Sequence, residues 1–345
     1  FQAGVWSYIH RHGLNIAGKR TKIDVPDAVF GVSGGGTNGV MIAMGKHHEL
    51  FDMWDLIAGN PFEVYNSEFI KQSGTNIEFD SEKIIKHLFS DLNLFQKAGL
   101  MFKASRKRSM QKVMDKFKEM KSLADYAPLI EKIRKLVSID DVKSKVFQAG
   151  FVSLTDGNYY APAHYDYKSD ADFQNGVMAS ADIPVFWPPV DQISTQNFTS
   201  TALVDGGVRN ATPFGDAVKY INDSEDADYH FLLISCHTGK VQKMEGEPHL
   251  LNIAKRSLGG VISSEMQDND LNEFLHVNTL VKQTESKGID LIGKNGRKLR
   301  AFKIKVIRPE RELGFALDFS RSSVLDSFSH GFQRAEQAFL NMNWE

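Results

Sequence analysis

Ala28-Val29-Phe30-Gly31-Val32-Ser33-Gly34-Gly35-Gly36 decides the fold of this chain. An apolar run after Pro26 and Asp27 predicts a buried strand, and it breaks sharply into glycines. Val40, Met41, Ala43 and Met44 then resume at helical spacing, through about His48. Strand, tight turn and helix follow one another, and Gly31-Val32-Ser33-Gly34-Gly35 fits G-x-S-x-G within them. A serine at the tip of such a turn sits in a strained backbone with its hydroxyl exposed. Glycine at 31, 34 and 35 keeps Cβ atoms away from strand and helix. The helix N-terminus offers free N–H groups to a developing oxyanion, with the N–H of Gly34 as first donor. A glycine-rich turn without chemistry has the same letters. A phosphate loop fits less well, because no Gly-Lys-Ser/Thr ending follows and the glycines do not match G-x-G-x-x-G.

Outward from this turn, strands and helices alternate. Ala3 to His12 predicts a short amphipathic helix stopped by Gly13. Strands are expected over Lys145–Leu154, Thr201–Val204, Phe231–Ser235 and Lys298–Ile307. Helices are expected over Phe173–Ala181, His249–Leu275 with a break at Gly259-Gly260, and Val324–Leu340. From Asn76 to Val137, Lys, Glu, Asp and Ser alternate with Leu, Phe, Ile and Met, and the whole stretch reads as helical. The alternation predicts an α/β fold with a mainly parallel central sheet flanked by helices. We read residues 1–345 as one domain, with 76–137 as a helical cap inserted in it.

A serine hydroxyl needs a base. His164, His237, His249, His276 and His330 lie downstream, none in a distinctive context. Ser33 is also early for an ordinary Ser–His–Asp hydrolase, whose nucleophile follows several strands. Asp205-Gly206-Gly207 is the better candidate. It ends the expected strand Ala202-Leu203-Val204, where sheets of this class build sites, and the two glycines admit a neighbouring backbone. An Asp–Gly turn without chemistry reads the same way.

Together these motifs resemble those of patatin-like phospholipases. Phe1-Gln2-Ala3-Gly4-Val5 is similar to the helix after that family's glycine-rich loop. Ala179-Ser180-Ala181-Asp182-Ile183-Pro184-Val185-Phe186-Trp187-Pro188-Pro189-Val190 resembles its A-S-x-x-I-P-x-x-F-P-P segment. Leu203 to Pro213 resembles V-D-G-G-x-x-N-x-x-P, and Val324–Leu340, with Gly331-Phe332, its closing helix. The resemblance implies a Ser–Asp dyad without histidine: Ser33 as nucleophile, Asp205 as base, Gly206 and Gly207 as the glycines of the acid motif. It implies hydrolysis of acyl esters, often of glycerophospholipids, without cofactor, calcium or other metal. Thr155-Asp156-Gly157 departs from the family's T-G. The family's G-G-G-x-[RK]-G loop, which supplies oxyanion donors, would lie just before Phe1. Either it precedes Phe1 in the polypeptide or the polypeptide lacks it. In the second case the chain is a catalytically silent lipid- or membrane-binding protein on the same fold.

The composition is compatible with both readings. A formal net charge of -2 over 345 residues makes no electrostatic case for nucleic acid. The lone thiol, Cys236, cannot form an internal disulfide, and no apolar run approaches the roughly 20 residues of a membrane span. The expectation is a cytoplasmic protein, with an oligomeric state that the sequence leaves open. Between Lys97 and Lys121, Lys103, Arg106, Lys107, Arg108, Lys112, Lys116 and Lys118 outnumber Asp115 and Glu119. Met110, Val113, Met114, Phe117 and Met120 share one helical face in that stretch. A basic amphipathic helix suits peripheral contact with an anionic bilayer. A solvated face over a packed core stripe has the same pattern.

Overall fold

The structure, a computed structural model, describes residues 1–16, 18–73, 76–90, 92, 103–223, 229–240, 263–293, 296–314, 318–340 and 344. The chain opens with α1 (Gln2–His12), the hairpin of β1 (Leu14–Ile16) and β2 (Lys19–Thr21), and then β3 (Ala28–Val32). α2 (Gly34–Ala43) and α3 (His47–Gly59) follow, separated by a turn at Gly45. β4 (Ile70–Ser73) and β5 (Asn76–Phe79) pair antiparallel. Next come α4 (Ser81–Leu88), α5 (Lys103–Glu119) and α6 (Ala127–Leu136). β6 (Val146–Ser153), β7 (Tyr159–Tyr160), α7 (Asp170–Ser180), β8 (Val190–Ser194) and β9 (Thr199–Asp205) complete the centre. The C-terminal third holds α8 (Phe214–Asp223), β10 (His230–Ile234), α9 (Ser263–Glu285), β11 (Lys303–Ile307) and α10 (Arg321–Leu340).

This is the α/β architecture the alternation predicts: a central sheet in the order β3-β6-β9-β8, with β7 on β6, flanked by helices. α2 and α7 pack on β6, α8 meets β3, and α1, α3 and α10 pack together. Val40, Met41, Phe147, Phe151, Phe173, Met178 and Leu203 are buried between the layers. Each such side chain contributes about 1.5–3 kcal/mol on burial. A second, smaller cluster around Phe214, Leu271 and Ile304 holds α8 and α9 to the parallel pair β10 and β11.

Two local features differ from the sequence expectations, and a third is described only in part. The central sheet is mixed: β3 and β6 are parallel, but β9 runs antiparallel to both β6 and β8. β8 and β9 are joined by a tight turn in which the N–H of Thr195 donates to the carbonyl of Phe198 at 2.8 Å. So short a connection can only reverse the chain, whereas a parallel neighbour needs a long crossover. Asn76–Phe79 is a strand inside the stretch read as helical, because four alternating residues found a partner in Ile70–Ser73. The expected helix over 249–275 is described only from Ser263 onward, where it is present; its part from 249 to 262, with Gly259-Gly260 and His249, lies outside the described residues.

Candidate active site

β3 delivers Ser33 to the N-cap of α2 with φ 59° and ψ -136°. A non-glycine residue rarely adopts a positive φ, and such strain concentrates at functional turns. The surroundings over-determine it. The N–H of Ser33 donates to both the carbonyl and the hydroxyl of Ser180, at 2.8 and 3.1 Å. Its own carbonyl accepts the N–H of Gly36 at 2.9 Å. Gly31 is obligatory here: a Cβ at that position would stand 2.3 Å from the carbonyl oxygen of Gly35. The steric argument does not extend to Gly34, where a Cβ would meet nothing within 4 Å. Gly34 instead borders open space beside Ser33. Among the described residues no backbone acceptor takes the N–H of Gly34 or Gly35. These are the free donors a helix N-terminus leaves.

Asp205 reaches the same level of the sheet from two strands away. Val32 is opposite Gly150 in β6, and the next residue of β6, Phe151, is opposite Asp205. The carboxylate therefore lies at the C-terminal end of β9, as the sequence suggests, but β9 arrives from the opposite direction to β3. Gly206 makes the approach possible: a Cβ there would stand 2.4 Å from the carbonyl oxygen of Gly150. The N–H of Gly207 donates to Asp205 Oδ1 at 2.7 Å. The Ser33 hydroxyl and Asp205 are not in hydrogen-bond geometry, but the hydroxyl is close enough to lower the carboxyl's pKa. Looseness of this kind is usual before a substrate is bound.

Burial raises the Asp205 pKa to about 6, against the lowering effect of the Ser33 hydroxyl and the Gly207 N–H. A carboxylate with a pKa near neutrality is a stronger base than one at 3.8, and still ionised at pH 7. The histidines stand elsewhere. His164 Nδ1 accepts the N–H of Phe147 at 3.2 Å, His237 Nδ1 pairs with the hydroxyl of Ser264 at 3.2 Å, and His330 Nε2 accepts the N–H of Glu310 at 3.1 Å. His276 is exposed on α9. Among the described residues no histidine hydrogen-bonds Ser33 or Asp205.

The family model described as patatin-like phospholipase matches residues 1–218, well over half the chain. The chain belongs to the patatin-like phospholipase family. Ser33, Asp205, Gly206 and Gly207 all fall within the matched region. Against solved structures, the chain aligns with the crystal structure of VipD from Legionella pneumophila at 11% identity and a TM-score of 0.39. The alignment covers 98% of this chain and 64% of that one, so the chain spans just under two thirds of its length. Comparison with curated protein sequences found no match.

Two residues of the patatin-like site carry no individual signal in the sequence. Ser180, which holds the Ser33 N–H, and Asp182, whose carbonyl accepts the Asp205 N–H at 2.8 Å, both lie in the Ala179–Val190 segment. That segment marks the family but does not say what each residue does. A separate cluster is formed by His10, Asp24 and His47, whose nitrogen and oxygen atoms lie within 4.8 Å of one another. Its protons argue against a metal. Trp6 Nε1, which can only donate, gives its N–H to His47 Nδ1 at 3.0 Å. The neutral ring then carries its proton on Nε2, which faces Asp24 Oδ1 at 3.5 Å. A metal-ligating histidine needs the reverse, a lone pair toward the ion and an N–H toward an acceptor.

Proposed function

We propose that this chain is a phospholipase A-type enzyme or esterase that cleaves acyl esters of lipids through a Ser33–Asp205 dyad. The observation that carries the reading is a strained serine on a strand-to-helix turn facing a buried carboxyl across Gly150. Asp205 takes the Ser33 proton as Oγ attacks the acyl carbonyl. The oxyanion forms in the open space beside Gly34, against the free N–H groups of Gly34 and Gly35. One such donor is worth about 10²–10³ in rate. Collapse expels the alcohol, which takes the proton from Asp205. Water then repeats the sequence on the acyl-enzyme and releases the acid. No step requires a cofactor or metal. Incubating the protein with a fluorophosphonate should leave one covalent adduct on Ser33, mapped by peptide mass spectrometry. An adduct on a different serine in a protein that hydrolyses lipid esters would refute the assignment.

The domain reading is part of this proposal: one patatin-like domain over 1–345, with 76–137 inserted as a cap. Backbone bonds support the cap's placement. The N–H groups of Leu123 and Ala124 donate to the carbonyls of Val185 and Phe186 at 3.0 and 2.9 Å. The end of the insertion is thereby tied to the loop that follows Asp182.

A second reading, a membrane-binding protein without turnover, draws on the outer face of α5. Val113 packs inward, but Met110, Met114 and Phe117 are 45%, 46% and 59% exposed, and Ile85 of α4, a helix that touches α5, is 57% exposed. Residues 97–102 lie outside the described residues. Lys112, Lys118 and Lys121 are exposed around the apolar stripe. No helix among the described residues is long and apolar enough to cross a membrane, so we place the contact at the bilayer surface. Phe117→Glu is expected to weaken binding to phosphatidylserine-containing vesicles by about tenfold, through lost apolar burial and an added negative charge. Co-sedimentation measures it. Equal binding by the variant would remove this surface from the proposal. Vesicle binding by a protein that hydrolyses no acyl ester would favour the silent reading.

A further inference from the structure

Asp182 is fully buried, at 0% exposure, and neither of its carboxyl oxygens has a protein hydrogen-bond donor within 3.5 Å. It is joined to Asp205 through the backbone, its carbonyl accepting the Asp205 N–H at 2.8 Å, and the Asp205 charge acts on its carboxyl. A second carboxylate charge here would be buried without a donor or a cation, and beside a like charge. The donors are unequally shared. Asp205 has the Gly207 N–H at 2.7 Å; no donor is in hydrogen-bond geometry with either carboxyl oxygen of Asp182.

We propose that Asp182 is a proton-holding positioning residue for Asp205: the buried carboxyl pair carries a single negative charge through neutral pH, and the unequal donors put that charge on Asp205, where Ser33 can use it. The proposal rests on Asp205 acting as the base. The groups that bear on Asp182 are Asp205 and the Tyr126 hydroxyl at the start of α6. Burial first, and the Asp205 charge second, raise the Asp182 pKa to about 8, with only a weaker opposing effect from the Val190 N–H. Tyr126, pushed up to about 12 by burial and by Asp182, stays neutral over the same range. The two carboxyls therefore titrate as a coupled pair.

The test is the carboxylic-acid C=O stretch, followed by infrared spectroscopy in the full chain across neutral pH. Ser33→Ala serves as the background, where turnover plays no part. A failed titration can then be told from a failed assignment of the base, which hydrolysis assays read separately. The expected result is a protonated-acid band that persists past pH 7 and fades near pH 8, and is missing in Asp182→Asn. In Asp205→Asn the midpoint should fall by on the order of one pH unit, because the neighbouring charge is gone. A band that survives in Asp182→Asn, or a midpoint indifferent to Asp205→Asn, would overturn the proposal. Thermal unfolding gives an independent reading. A carboxyl with a raised folded pKa keeps a proton that the unfolded chain has already lost, so stability falls as pH rises. For Asp182 the window runs from about 3.8 to about 8. The part of this fall above pH 6, where Asp205 is already ionised, should disappear in Asp182→Asn, and an unchanged slope there would count against the pair. If Asp182→Asn does not fold, the Asp205→Asn shift still decides.

Discussion

Ser33→Ala is expected to lower kcat/KM for any acyl ester this chain hydrolyses by on the order of 10⁴–10⁶, and to abolish fluorophosphonate labelling. The size follows from what the hydroxyl does. It forms the bond to the acyl carbon, and no other group in the turn replaces it. Ser180 has a hydroxyl at the turn, but it is fully buried and holds the backbone N–H of residue 33. Alanine keeps that hydrogen bond, since only the side chain is lost. The variant should therefore fold like the parent, and circular dichroism and unfolding temperature check this. Hydrolysis within tenfold of the parent rate would remove Ser33 from the mechanism.

Asp205→Asn should lower kcat/KM by about 10⁴, the scale seen when an orienting or accepting carboxylate becomes an amide. The parent should lose activity on the acidic side of a limb near pH 6, because the base must be ionised to accept a proton. That midpoint lies in the imidazole range, so its position alone does not identify the group. The variants do: the limb should survive replacement of His164, His237, His249, His276 and His330 one at a time, in folded proteins. A limb that vanished with one histidine would reinstate a Ser–His–Asp arrangement. Stability supplies a second sign. The raised folded pKa of Asp205 means that ionising it opposes folding as pH rises from about 3.8 to about 6. Removing the charge should stabilise the inactive variant at pH 7. The upper bound is about 3 kcal/mol, from about two pKa units at 1.4 kcal/mol each.

The Ser33 turn was legible because its signals are local. An apolar run, a cluster of glycines and a resumed helical period occupy one short stretch, and the backbone conformation there depends on its own glycines. Gly31 shows this directly, since the clash that makes it obligatory is with Gly35, four residues away. Asp205-Gly206-Gly207 was half legible. Its place at the end of a strand could be read from Ala202-Leu203-Val204. The clash that requires Gly206 is with Gly150, and nothing near residue 206 in the sequence announces that neighbour. Residues 76–79 were misread for the opposite reason: four alternating residues are too few to outweigh a long polar-apolar stretch without knowing their partner strand.

By itself the sequence determined the α/β class, the strand–turn–helix around Ser33, the strand end at Asp205 and the resemblance to patatin-like phospholipases. Only the tertiary structure decided that β9 runs antiparallel to β6, that Ser180 secures the nucleophile turn, and that Asp182 is joined to Asp205 through the backbone with its carboxyl buried outside any hydrogen bond. Side-chain periodicity reports which face of a segment is buried. It carries no information about the direction or identity of the segment that buries it. Strand order, and the meeting of Asp182 with Asp205, arise when helices and strands far apart in the chain close around a common core.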